Sequence, residues 1–100
     1  MSKMDKYRES VELGESIFEF FQAFGYEDEY YRGQVRAEWG NIIGQEIASN
    51  VEITAFEGEV LTLKTNNSVW KNEMFFRRKE IMKLVNQRYD KKLVSNINIK

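Results

Sequence analysis

The sequence predicts an α+β domain whose elements run α-α-β-β-α-β, with a three-stranded sheet covered by helices on one face. Three observations predict it. Apolar residues recur at helical spacing up to about Val51. From Val51 to Thr65 they alternate in twos around a Glu57-Gly58 turn. Helical spacing returns at Ser68, and Asn66, Asn67 and Ser68 can each accept from the free N–H groups that open a helix.

The first helix is expected from about Ser10 to Phe24. Leu13, Ile17, Phe20, Phe21 and Phe24 form its apolar stripe, and Gly25 follows where a left-handed stop needs no Cβ. The second helix begins after Glu27-Asp28-Glu29, whose charges favour a helix N-terminus. Its stripe is Tyr31, Val35, Trp39, Ile42 and Ile43. Gly44 ends or bends it, with a positive φ or a close contact expected there, and a short turn through Ile47 and Ala48 leads on. Strand one covers Val51 to Phe56, with Val51, Ile53 and Ala55 on one face. After the turn, strand two places Leu61 and Leu63 on the covered face and Thr62 and Lys64 opposite. The third helix runs from about Ser68 to Tyr89, with Trp70, Met74, Ile81, Leu84 and Val85 inward. The last strand is Leu93 to Ile99, with Ile97 and Ile99 on one side. Residues 1–9 are expected to be a flexible terminus and 10–100 a single domain.

The chain has 100 residues and is 42% hydrophobic, sufficient for one small core. It has no Cys, which excludes disulfides and thiolate chemistry, and no His, the usual general base and transition-metal ligand. No apolar run approaches the roughly 20 residues of a membrane span, and the amino terminus lacks the apolar core of a signal peptide. A cytoplasmic protein is expected. Charge is unevenly spread. Residues 1–59 hold 5 Lys/Arg against 13 Asp/Glu, a balance of −8, whereas residues 60–100 hold 10 against 3, a balance of +7. A basic half suits phosphates or acidic partners. Its alternative is that the halves interleave and the charges pair off.

No catalytic constellation emerges. Glu27, Asp28 and Glu29 read as a helix start, Glu57 and Glu59 flank a turn, and Ser68 sits where a cap belongs, with no His to activate it. Neither an enzyme, a cofactor, a metal nor a small-molecule substrate is expected.

Two signatures carry a family resemblance. Trp39-x-x-Ile42-Ile43-Gly44-x-x-Ile47-Ala48 is followed by Gly58-x-x-Leu61-x-Leu63-x-x-Asn66-x-Ser68-x-Trp70-x-x-Glu73-Met74. Ile81, Leu84, Asn86, Val94 and Ile97 continue the pattern. Over roughly residues 10–100 the chain resembles the DciA family, first catalogued as a domain of unknown function. The resemblance implies a fold similar to the K-homology (KH) domain. It also implies a non-enzymatic role in bacterial DNA replication, with the DnaB-type replicative helicase, single-stranded DNA or both as partners. Trp39, Gly44, Leu61, Leu63 and Trp70 are then signature residues of structural role. A KH nucleic-acid site uses a GxxG loop between helices, and the sequence has none. An alternative is a domain that binds protein alone, a homodimer being one form of it.

At ~100° per residue, Phe76, Lys79 and Lys83 fall opposite the third helix's apolar stripe. A ring between lysines suits a stacked base with phosphates beside it, and Lys71 and Arg78 add nearby cations. The alternative is that Phe76 is covered by the second helix or the amino terminus.

Overall fold

The computed structural model describes residues 17–100. The chain divides into two compact units, Met1–Tyr30 and Tyr31–Lys100. In the first, helix α1 is described over residues 17–23, and Gly25 follows with φ +77°. The expected start near Ser10, Leu13 and the segment 1–9 lie outside the described residues. Phe18 meets Tyr30 edge-on, 5.1 Å between centroids, and Phe21 lies 6.2 Å from the same ring. Ile17, Phe20 and Phe24, expected in the buried stripe, are exposed. Phenylalanines at 18, 20, 21 and 24 offer two overlapping stripes, and Tyr30 packs against one of them.

The expected second helix is two, α2 (Glu27–Ala37) and α3 (Trp39–Ile43), and a further helix, α4 (Gln45–Asn50), follows. The expected turn through Ile47 and Ala48 is thus helical. Gly44 separates α3 from α4 at φ 96° and ψ 147°, a region open essentially to glycine alone. A Cβ built there meets nothing within 4 Å, so conformation, not crowding, demands the glycine. Gly44→Ala is therefore expected to cost about 1–3 kcal/mol, read as a lower urea midpoint. An unchanged midpoint would refute this.

The sheet consists of β1 (Glu52–Glu57), β2 (Val60–Lys64) and β3 (Asn96–Ile99) in the order β1-β2-β3. β1 is antiparallel to β2 and β3 is parallel to it. Gly58 turns the hairpin at φ 57°. A register shift lies between Ile53 and Ala55: Ile53 pairs with Leu63, Phe56 with Leu61, and Ala55 with Thr62. Side chains directly opposite share a face, so Phe56, not Ala55, joins Ile53 on the covered face. One extra residue in a strand inverts its alternation from that point on.

The expected third helix is α5 (Ser68–Phe76) and α6 (Arg78–Arg88), divided at Arg77. Asn67 caps α5: its Oδ1 accepts from the N–H groups of Val69 at 2.8 Å and Trp70 at 3.1 Å. Met74, Ile81 and Val85 are buried with Leu61, Leu63, Ile97 and Val35 in one core. Leu84, expected in the stripe, is exposed. The strand after α6 begins at Asn96, three residues later than expected. Leu93 and Val94 are buried without strand pairing; the Leu93 N–H donates to the Lys91 carbonyl at 3.0 Å, and the side chain of Asn86 supplies further bonds to both residues. Its Oδ1 accepts from both of their N–H groups, at 2.8 and 2.9 Å, and its Nδ2 donates to the Val94 carbonyl at 3.0 Å.

Candidate interface at the α5–α6 junction

The break at Arg77 arises within the backbone. The Arg77 N–H is shared between the carbonyls of Glu73 (3.1 Å) and Met74 (3.2 Å), and its φ −95°, ψ 9° leave the helical region. The residues around it cannot all face inward. Phe75 and Phe76 are adjacent, about 100° apart on a helix, and Met74 already fills the core side. Both rings stand out, Phe75 at 51% and Phe76 at 76% exposure. They meet nearly perpendicular, 6.1 Å between centroids.

Arg78 lies over the Phe75 ring, its guanidinium carbon 4.0 Å from the centroid, and its Nε donates to the Phe75 carbonyl at 3.1 Å. A cation on a ring face is attracted by the ring quadrupole. The guanidinium plane is thereby preset beside the junction. Arg77 turns elsewhere: its Nε donates to Glu73 Oε1 at 2.8 Å. Lys79 and Lys83 are exposed on α6. Phe76 therefore does not share one continuous helix with them, as the sequence suggests; it ends α5, on the other side of the break.

Two grooves flank α5. An open groove of about 680 Å³ is lined from α5 by Ser68, Val69, Lys71, Asn72, Glu73 and Phe75, and by Ile99 of the edge strand β3. A smaller one of about 270 Å³ lies between α4 and α5, lined by Ile47, Trp70 and Arg77 among others. Val69, 76% exposed, and Glu73 line both and form the ridge between them. Phe75, Val69 and Glu73 escape sequence reasoning based on one helical stripe. The aromatic pair followed by Arg77-Arg78-Lys79 was the signal available.

The signature residues differ in burial. Leu61 and Leu63 are wholly buried. Trp39 is buried and its Nε1 donates to the Val51 carbonyl at 3.0 Å. Trp70 is half-buried against the core. Elsewhere, Glu38 Oε2 accepts from Tyr89 Oη at 2.8 Å and from Arg88 Nη2 at 3.1 Å, tying the residue between α2 and α3 to the end of α6. The Tyr89 hydrogen bond, then Arg88, lowers the Glu38 pKa against some opposing burial. Burial, then Glu38, pushes the Tyr89 hydroxyl up to about 12. Among the described residues, no three His, Cys, Asp or Glu side chains are placed to hold a metal ion. No helix among them is long and apolar enough to cross a membrane.

Two parallel strands joined through two helices, β2-α5-α6-β3, fit the KH-like arrangement. The sequence profile of the family described as Dna[CI] antecedent, DciA, matches residues 12–99. The chain belongs to the DciA family. No match was found among curated proteins. In this DciA-family chain the inter-helix junction reads Phe76-Arg77-Arg78-Lys79, where a KH module would carry GxxG. Glycines let a backbone approach nucleotides closely. Here bulky side chains occupy that approach, and cationic groups and rings are what the junction presents.

Proposed function

We propose that this chain is a non-enzymatic, cytoplasmic accessory of bacterial DNA replication that binds single-stranded DNA across the α5–α6 junction and acts with the DnaB-type replicative helicase. One observation carries the DNA part: two adjacent exposed phenylalanines, one bearing the Arg78 guanidinium at 4.0 Å, on helices that also carry exposed Lys71, Lys79 and Lys83. Base stacking on aromatic rings with cations along the backbone is how proteins hold single strands without reading sequence. The groove beside α5 offers room for a strand between Phe75 and Ile99. Family membership supports the helicase part.

Fluorescence anisotropy with labelled oligo-dT tests the DNA part. Phe75→Ala and Phe76→Ala are each expected to weaken binding by about 1–3 kcal/mol, the size of a lost base stack. Lys79→Glu with Lys83→Glu is expected to flatten the log–log salt slope by about 1.4, at ~0.7 per phosphate contact on a single strand. Wild-type affinity in all these variants would remove the junction as the site. A pulldown with the helicase of the same cell, with and without DNA, tests the second part.

A second reading is a surface that binds protein alone, a second copy of the chain included. Exposed Val69, Phe75 and Phe76 favour it, because clustered exposed apolar side chains mark interaction sites. Absence of oligo-dT binding at about 50 mM salt, together with a dimer in light scattering, would favour this reading.

A further inference from the structure

We infer that Glu73 restrains this interface electrostatically: by pairing with Arg77 it withholds that cation from phosphate and sets how tightly the junction holds a strand. The inference rests on the single-stranded DNA reading above. Arg77 stands at the break itself, between exposed Phe76 and Arg78, yet the two arginines are used differently. Arg78 spends its Nε on a backbone carbonyl and its plane on a ring, and its full charge remains uncancelled by any carboxylate among the described residues. Arg77 binds Glu73 Oε1 at 2.8 Å, with the two side chains 43% and 44% exposed. Its charge is cancelled on the smaller groove, across the Val69–Glu73 ridge from the larger one.

Helix stability does not account for a glutamate at this position. An exposed ion pair four residues apart adds little. Glu73 also lies in the last turn of α5, where the helix dipole disfavours negative charge. Among the described residues lining the larger groove it is the one carboxylate, and it lines the smaller groove as well. A carboxylate at that ridge repels phosphate on either side and competes with it for Arg77. The junction therefore engages Arg77 only when phosphate displaces Glu73.

The test is oligo-dT anisotropy across a salt series with the full chain, as wild type, Glu73→Gln, Glu73→Ala, Arg77→Gln and Glu73→Gln with Arg77→Gln. Melting curves check that each is folded. Glu73→Gln keeps the shape and removes the charge. Freeing one phosphate contact steepens the slope by about 0.7, which corresponds to about eightfold tighter binding near 50 mM salt and about threefold near 200 mM. Glu73→Ala is expected to tighten binding too, whereas a merely structural glutamate would weaken it on removal. The gain is expected to vanish in the double variant, and Arg77→Gln alone to weaken binding, since it leaves the Glu73 carboxylate uncancelled at the ridge. If wild type binds and both Glu73 variants bind no tighter, the restraint is refuted while the DNA reading stands. If the gain survives without Arg77, the pairing is refuted as its cause. If neither wild type nor any Glu73 variant binds, the DNA reading itself fails and the inference falls with it.

Discussion

Trp39→Ala is expected to destabilise the fold by about 3–5 kcal/mol, the usual loss for a buried Trp. The ring is 7% exposed and belongs to the core shared by Val35, Val51 and Leu63. Its Nε1 also satisfies the Val51 carbonyl, joining α3 to the chain entering β1. Trp39→Phe separates the two contributions: it retains most of the packing and leaves that carbonyl unpaired, for about 1–3 kcal/mol. Urea titration of both variants reads the difference. A small domain holds roughly 5–15 kcal/mol in all, so lost partner binding in Trp39→Ala would report unfolding rather than an interface. A Trp39→Ala protein within about 1 kcal/mol of wild type would refute this account of the core.

Asn86→Ala is expected to cost about 2 kcal/mol or more, because the Val94 N–H and carbonyl lose their partner at once and each buried orphan costs about 1–3 kcal/mol, while the Leu93 N–H retains the Lys91 carbonyl at 3.0 Å. Leu93 and Val94 are 2% and 1% exposed, so water cannot readily replace the amide. Asn86→Asp keeps the acceptor for both N–H groups but turns the donor facing the Val94 carbonyl into an acceptor. It is expected to fall between wild type and Asn86→Ala in thermal melts. Equal stability of all three proteins would mean that the bonds are dispensable. The segment is the approach to β3, whose Ile99 lines the larger groove, so loosening it is also expected to disturb the interface.

The helicase and DNA readings make separable demands on the molecule. A DNA site at the junction requires Phe75, Phe76 and the cations of α5 and α6. A helicase contact made elsewhere on the chain would not require them. Variants of the junction that lose oligo-dT but keep the helicase would therefore divide the two activities on one small chain, and the Glu73 variants would then report on the DNA half alone.

Features that depend on a few neighbouring residues were legible before any fold was known. Asn67 caps α5 because a short side-chain acceptor can reach N–H groups two and three residues on. Gly44 takes a positive φ because the chain must stop one helix and start another there. The alternation of Leu61 and Leu63 put both into the core because strand side chains repeat in twos. Other features depend on contacts distant in sequence, and local pattern cannot carry them. The bulge that buries Phe56 instead of Ala55 exists only in the pairing of β1 with β2. The role of Asn86 depends on a chain segment that turns back past the end of α6, and Glu38 meets Tyr89 across 51 positions. At the junction, periodicity assigned Phe76 to a helical face shared with Lys79 and Lys83, but the break at Arg77 separates them. Phe75 went unnoticed because a stripe has one outward direction, whereas a helix ending beside a groove exposes two. Side-chain reach and backbone geometry act over a few residues, but pairing register, the ending of a helix and the surroundings of a ring are fixed by what the rest of the chain brings against them.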